Sequence, residues 1–202
     1  DLRKRELPIA GDAMTLRLGY RPPYDFGAML DFLRGRALPG AEVVDDVSYR
    51  RVIGTPDTPG WLRVSAWDGE AHALKPELQG GAAADLLQIV NRLRRMFDLD
   101  ADPQAIAAAL GHDDRLRPLL EARPGLRLPS GWDGFEIAVR AVIGQQVSVA
   151  AATTLARRLV ASFGEPLAKP VDSHLHSLFP TPSVLATADL AGIGLTGSRI
   201  VT

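Results

Sequence analysis

The sequence predicts an α+β fold, an N-terminal antiparallel sheet with two helices followed by a helical segment. Three observations carry this reading. Up to Phe97, strand-type alternation and helix-type periodicity alternate in the order strand, helix, four strands, helix. After Asp98 the texture changes to Ala-rich helical runs separated by Pro/Gly-rich connectors. With 202 residues, 46% of them hydrophobic and 23% charged, the chain has the composition and length for one large domain or two modest ones with a buried core.

Each element has its own signal. Residues 1–12, charged and then carrying Pro8 and Gly11, read as a linker or the tail of an upstream module. TLRLGY (15–20) alternates like a strand. Phe26, Met29, Leu30 and Leu33 recur at helical spacing, and Gly35 and Pro39 close that run. AEVVDDVSYRRVIG reads as two short strands joined at Asp45-Asp46. WLRVSAWDG and EAHALKPEL form a second hairpin with Asp68-Gly69 as its turn. A helix from about Ala82 to Phe97 puts Leu86, Ile89, Val90, Leu93 and Phe97 on one face. The two helices are expected to cover one side of the sheet.

A division falls near 100–104, giving an α+β unit over 13–102 and an incomplete helical unit over 103–202. Asp102 and Pro103 open a short helix as N-cap and first-turn residue. Beyond it the reading is helical only, with helices at roughly 132–143, 147–163 and 181–189 and a looser stretch, EPLAKPVDSHLHSLFP, between them.

The charges, 23 basic against 24 acidic, nearly cancel, so the whole-chain field selects no partner; a local basic face is what nucleic-acid affinity would need. The absence of cysteine excludes disulfides, thiolate metal sites and thiol nucleophiles. No apolar run reaches the length of a membrane span and no signal-peptide core is present, so a cytoplasmic protein without a membrane partner is expected. His174 and His176 beside Asp172 read as an incidental loop pair, and neither a metal nor a cofactor is expected.

The stretch FEIAVRAVIGQQVSVAAATTL (135–155) raises the functional question. Phe135, Ala138, Val139, Val142 and Ile143 make the expected buried stripe of one helix; Val147, Ala151, Leu155 and Leu159 make that of the next. Glu136 and Arg140, four apart, are expected to pair on the exposed side. Gly144 permits a turn and Ser148 can cap the second helix, which leaves Gln145 and Gln146 at the exposed apex of a helical hairpin. A glutamine there can reach a DNA groove, fill the space of a displaced base, or face water. Trp61 and Trp67 read as sheet packing, Trp132 as a cover over the junction of the two units, and RLRR (92–95) as the wet side of its helix.

Together, LRLGYRPPYDFGAMLDFLRGRAL (16–38), ARPGLRLPSGWDGFEIAVRAVIGQQVSVAAATTLARRL and FPTPSVLATADLAGIGLTGSRI (179–200) resemble the helix–hairpin–helix DNA glycosylase superfamily, nearest its 3-methyladenine DNA glycosylase II (alkylbase) branch. The resemblance covers about residues 15 to 202. It implies an N-terminal sheet domain like half of the TATA-binding-protein fold, followed by the helical glycosylase core. It also implies a monofunctional repair enzyme that flips an alkylated base (3-methyladenine, 7-methylguanine type) out of double-stranded DNA and hydrolyses its glycosidic bond, with no obligate protein partner.

Carried over by residue, the family's base-pocket phenylalanine falls on Phe32 and its wedge on Gln146, with Gln145 beside it; the alkylbase branch has an aliphatic wedge where this chain has glutamine. Ser148 and Arg140 complete the expected DNA-contacting set, and Arg123, Arg127, Arg157 and Arg158 are further candidates for phosphate. Gly192, Ile193 and Gly194 imitate the family's phosphate-binding loop but match an earlier helix junction by position. The catalytic aspartate is expected beyond Thr202, so that this chain is an N-terminal portion, inactive alone and prone to aggregate or dimerise. The alternative is a non-catalytic DNA- or lesion-binding module, including one fused behind an adaptive-response regulator.

Overall fold

A computed structural model describes residues 13–80 and 85–195. The linker reading of residues 1–12 and the last residues of the LAGIGLTGSRI segment lie outside this range.

The sheet is a six-stranded antiparallel one. Its strands are β1 (Met14–Thr15), β2 (Leu18–Gly19), β3 (Glu42–Val44), β4 (Ser48–Gly54), β5 (Pro59–Ala66) and β6 (Ala73–Gly80), in the order β1-β6-β5-β4-β3 with β2 also on β6. The single strand expected at 15–20 is split in two. Its middle faces Pro76 of β6, which accepts a hydrogen bond from the Leu16 amide (2.8 Å) but has no N–H to return. The β3–β4 turn is held by Asp45, whose carboxylate accepts from the Val47 and Ser48 amides. Between β5 and β6 Gly69 takes a φ of +98°, a conformation open to glycine, within a longer turn than the expected two-residue one.

Helices α1 (Phe26–Arg34) and α2 (Leu86–Met96) pack their apolar stripes on one face of the sheet, as the periodicity predicts. Asp25 caps α1 by accepting from the Ala28 amide at 2.8 Å. Met29, Leu30 and Leu33 of α1 and Ile89, Leu93 and Met96 of α2 meet Tyr49, Ile53, Leu62, Val64, Leu74 and Leu78 in the main core. Phe97, fully buried, closes it and accepts the Tyr24 hydroxyl on its carbonyl at 2.7 Å.

Asp102 caps α3 (Pro103–Leu110) through the Gln104 and Ala105 amides, as expected. A further helix, α4 (Arg117–Ala122), follows where the sequence reading passed straight to a connector. The connector then returns to the first unit: the Asp25 amide donates to Gly125 at 2.7 Å and Trp132 enters the main core.

The hairpin is α5 (Gly134–Ile143) and α6 (Val149–Phe163), followed by α7 (Pro182–Ala186) and a 3-10 turn at Leu190–Ile193. Two expectations are corrected here. The second half is not purely helical: β7 (Glu165–Pro166) and β8 (Ser177–Leu178) form a short hairpin, and Leu175 bridges in parallel to Gly40. This segment is anchored because Leu167 and Leu175 bury against Val52 on the sheet's outer face. The α5 stripe is also narrower than the pattern implied. Ile143 is buried and Val139 packs beside it, but Ala138 is exposed and Glu136, expected on the wet side, is only 2% exposed. Helix α5 is therefore squeezed between α6 on one face and the sheet unit on the other.

Candidate nucleic-acid interface

The apex of the α5–α6 hairpin is built by three local devices. Asp133 caps α5 through the Glu136 amide at 2.9 Å. At the other end the Gly144 amide donates to Arg140 at 2.9 Å, and a Cβ on Gly144 would come within 3.1 Å of that same carbonyl. Ser148 caps α6, its Oγ accepting from the Ala151 amide at 3.2 Å. Between them Gln145 and Gln146 are exposed, and Gln146 sits at a φ of +57°. A left-handed glutamine costs on the order of 1 kcal/mol, so the turn holds it against a local preference. The first turn of α6 leaves its free N–H groups and positive dipole end beside this apex, an arrangement that favours anions.

The inner side of α5 walls a cleft of about 280 Å³ shared with α1 and the connector. Phe32, Leu33, Met96, Trp132 and Ile137 supply its apolar surface, and Arg36, Glu42, Glu136 and Arg140 its charged lining. Phe32 is 37% exposed, too open for a plain core residue, and the Arg36 guanidinium lies over its ring at 3.7 Å from the centroid. That contact is a planar cation on an aromatic face. Trp132 is buried, with two more guanidiniums over its ring, Arg51 at 4.5 Å and Arg92 at 5.3 Å from the centroid.

Behind the cleft lies a ring of four charges. Arg51 reaches Glu42 at 3.4 Å and Glu136 at 3.2 Å; Arg140 reaches Glu42 at 3.2 Å and Glu136 at 2.8 Å. The Tyr49 hydroxyl donates to Glu42 at 2.6 Å. Burial opposes ionisation of Glu136, but Arg51 and Arg140 outweigh it and hold its carboxyl below the ordinary value. Burial lifts the Tyr49 hydroxyl well above its usual range, which keeps it a neutral donor.

Of the residues singled out in the sequence, Gln145, Gln146 and Ser148 come together at the apex and Phe32 lies on the cleft. Arg140 does not join the wet face: its guanidinium is held inside by Glu42, Glu136 and the Arg36 carbonyl (3.0 Å). Arg127, a candidate for phosphate, is 7% exposed and turns its Nη1 and Nη2 donors to the Ala101, Arg21 and Pro23 carbonyls. Arg123 pairs with Asp25, Arg157 donates to the Ala37 carbonyl and Arg158 to that of Ile193. Asp172 accepts from the His174 and Leu175 amides and pairs with Arg50, and no metal-ligating cluster occurs among the described residues. In the Gly192–Gly194 turn Ile193 is buried and Gly194 takes a φ of +91°. No helix among the described residues is long and apolar enough to cross a membrane. The sequence reading missed Arg51 altogether, because its helical partner Glu136 lies 85 residues away and it looks like one more strand arginine.

Comparison with known proteins gives this geometry a context. Residues 15–133 match the AlkA N-terminal domain family. A probable bifunctional transcriptional activator/DNA repair enzyme AlkA of Mycobacterium tuberculosis is 38% identical over 186 residues, 92% of this chain and 37% of the relative. The DNA-3-methyladenine glycosylase 2 of Escherichia coli is 39% identical over 172 residues, 85% of this chain and 57% of the relative. The chain thus spans between about a third and just over half of these relatives' lengths. Among solved structures, a 3-methyladenine DNA-glycosylase from Archaeoglobus fulgidus superposes with a TM-score of 0.74 at 20% identity, over 92% of this chain and 64% of its own. The Clostridium acetobutylicum 8-oxoguanine glycosylase/lyase, solved with double-stranded DNA, gives 0.60 at 15% identity, over 88% and 56%. At such identities these two structures speak for the fold alone: a sheet unit followed by helices.

Proposed function

The chain belongs to the AlkA N-terminal domain family, and from that premise we propose that the protein carrying it is a DNA-repair glycosylase that excises alkylated bases from duplex DNA. The observation that carries the reading is the continuity of α5. One face of this helix walls the Phe32 cleft, and its end presents Gln145 and Gln146 to solvent. One rigid element therefore links a base-sized aromatic recess to a polar wedge. In this reading the sheet unit (13–102) supplies Phe32 and the helical unit (103–202) the wedge.

The steps follow from these groups. Extruding a base costs a few kcal/mol, less when a lesion weakens its pairing. Gln145 and Gln146 enter the gap and offer amide donors and acceptors to the orphaned partner base. The extruded purine, cationic through its methyl group, is drawn to the Phe32 ring, where it displaces the Arg36 guanidinium from the ring face. The C1′–N bond then breaks with its electron pair leaving on the base, which neutralises the purine's charge, and water adds to C1′ and releases a proton to solvent. A carboxylate near C1′ stabilises the oxocarbenium ion between these events. Glu42 and Glu136 do not fit that task, since each is bridged by two arginines.

A second reading is a lesion-binding module that does not cut, alone or joined to an adaptive-response regulator. Incubating the full-length protein with methylated duplex DNA separates the two. Release of free 3-methyladenine or 7-methylguanine supports the glycosylase; lesion-selective binding without release supports the module; neither refutes both.

A further inference from the structure

Glu136 and Arg140 have the spacing of a surface pair, yet the structure buries Glu136 and draws Arg140 inward. Their partners Glu42 and Arg51 come from the sheet, so the ring alternates acid and base across the contact between α5 and β3–β4. Burial of such a ring is weak evidence for stability, because well-packed apolar residues often do as well or better. What it supplies is register. Each guanidinium bridges two carboxylates from different elements, so a slide or rotation of α5 on the sheet would leave a charge buried and alone. Apolar contacts would tolerate such a slide. Arg140 adds a third link: its Nη1 donates to the Arg36 carbonyl at 3.0 Å, and the Arg36 side chain covers the Phe32 ring. One turn beyond Arg140 the helix ends at Gly144 and the apex begins.

We infer that Arg140 is a positioning residue, which with Glu42, Arg51 and Glu136 fixes the Gln145–Gln146 apex relative to the Phe32 wall, and that it does not contact phosphate. This rests on the glycosylase reading above.

The test uses the full-length protein and a duplex carrying a non-cleavable 2′-fluoro-7-methylguanine beside 2-aminopurine, whose fluorescence rises when its neighbour leaves the stack. In Arg140→Gln and in Glu42→Gln the opening equilibrium should fall at least fivefold. The Glu42→Gln variant breaks the ring from the sheet side without removing a cation, and it serves if an Arg140 variant fails to fold. The slope of log affinity against log salt should stay at the wild-type value. In a Gln145→Ala/Gln146→Ala background the same substitutions should change opening less than twofold. A salt slope smaller by about one would make Arg140 a phosphate contact and overturn the inference. So would an unchanged opening equilibrium, or an equal fivefold fall in both backgrounds, which would mean general loss of structure. A wild-type protein with no lesion-dependent signal would instead overturn the functional reading, and the inference with it.

Discussion

Replacing Arg51 with methionine removes one corner of the charge ring and leaves the hydrocarbon volume largely filled. Arg51 is 3% exposed and Glu136 2%, so the carboxylates left behind cannot recover water. Breaking a buried pair from one side costs about 3–5 kcal/mol, a large share of the roughly 5–15 kcal/mol that holds a domain together. For a chain of this size each 1 kcal/mol moves Tm by about 2–4 °C, so a loss of roughly 6–20 °C is expected at neutral pH. The pH dependence gives the sharper check. In the wild type Glu136 has a depressed folded pKa, so its contribution is present above the ordinary value and is lost as pH falls through the folded one. In Arg51→Met burial remains with one cation fewer, the Glu136 pKa rises, and mild acid relieves the penalty by protonation. Thermal melts of both proteins at pH about 7.5 and about 5 should therefore show a gap that narrows in acid. A loss under about 1 kcal/mol, or a gap independent of pH, would refute the ring as described.

Phe32→Ala should cost only about 1 kcal/mol in urea unfolding, since the ring is partly exposed, while lowering excision of methylated bases by tenfold or more. Gln146→Gly should stabilise the fold by up to about 1 kcal/mol by relieving the left-handed glutamine, and it should still weaken base flipping measured by fluorescence. Leu119 and Leu128 are 66% and 80% exposed, so replacing both with glutamine in the 202-residue chain should reduce binding of an apolar dye and self-association with little change in Tm.

What could be read from the sequence was whatever depends on neighbours along the chain. The α1 and α2 stripes, the Asp102 and Ser148 caps and the Gln145–Gln146 apex all follow from spacing within one or two turns. Helix α4 had such a signal too, Leu116, Leu119 and Leu120 with Pro118 in its first turn, masked by the prolines and glycines just after it. The fate of Glu136 and Arg140 was not legible. An i,i+4 ion pair looks the same on a wet face as on a buried one, and the deciding partners are Arg51, 85 residues from Glu136, and Glu42, 98 residues from Arg140. The β7–β8 hairpin escaped for a similar reason: two-residue strands have no period, and only burial of Leu167 and Leu175 against Val52 makes them visible.

The central claim, that the α5–α6 apex fills the gap left by an extruded base, is tested most directly by single-turnover release of 3-methyladenine from methylated duplex DNA. The full-length protein should release it, and its Gln145→Ala/Gln146→Ala variant, folded as before, should do so at least tenfold more slowly. Equal rates would contradict the claim.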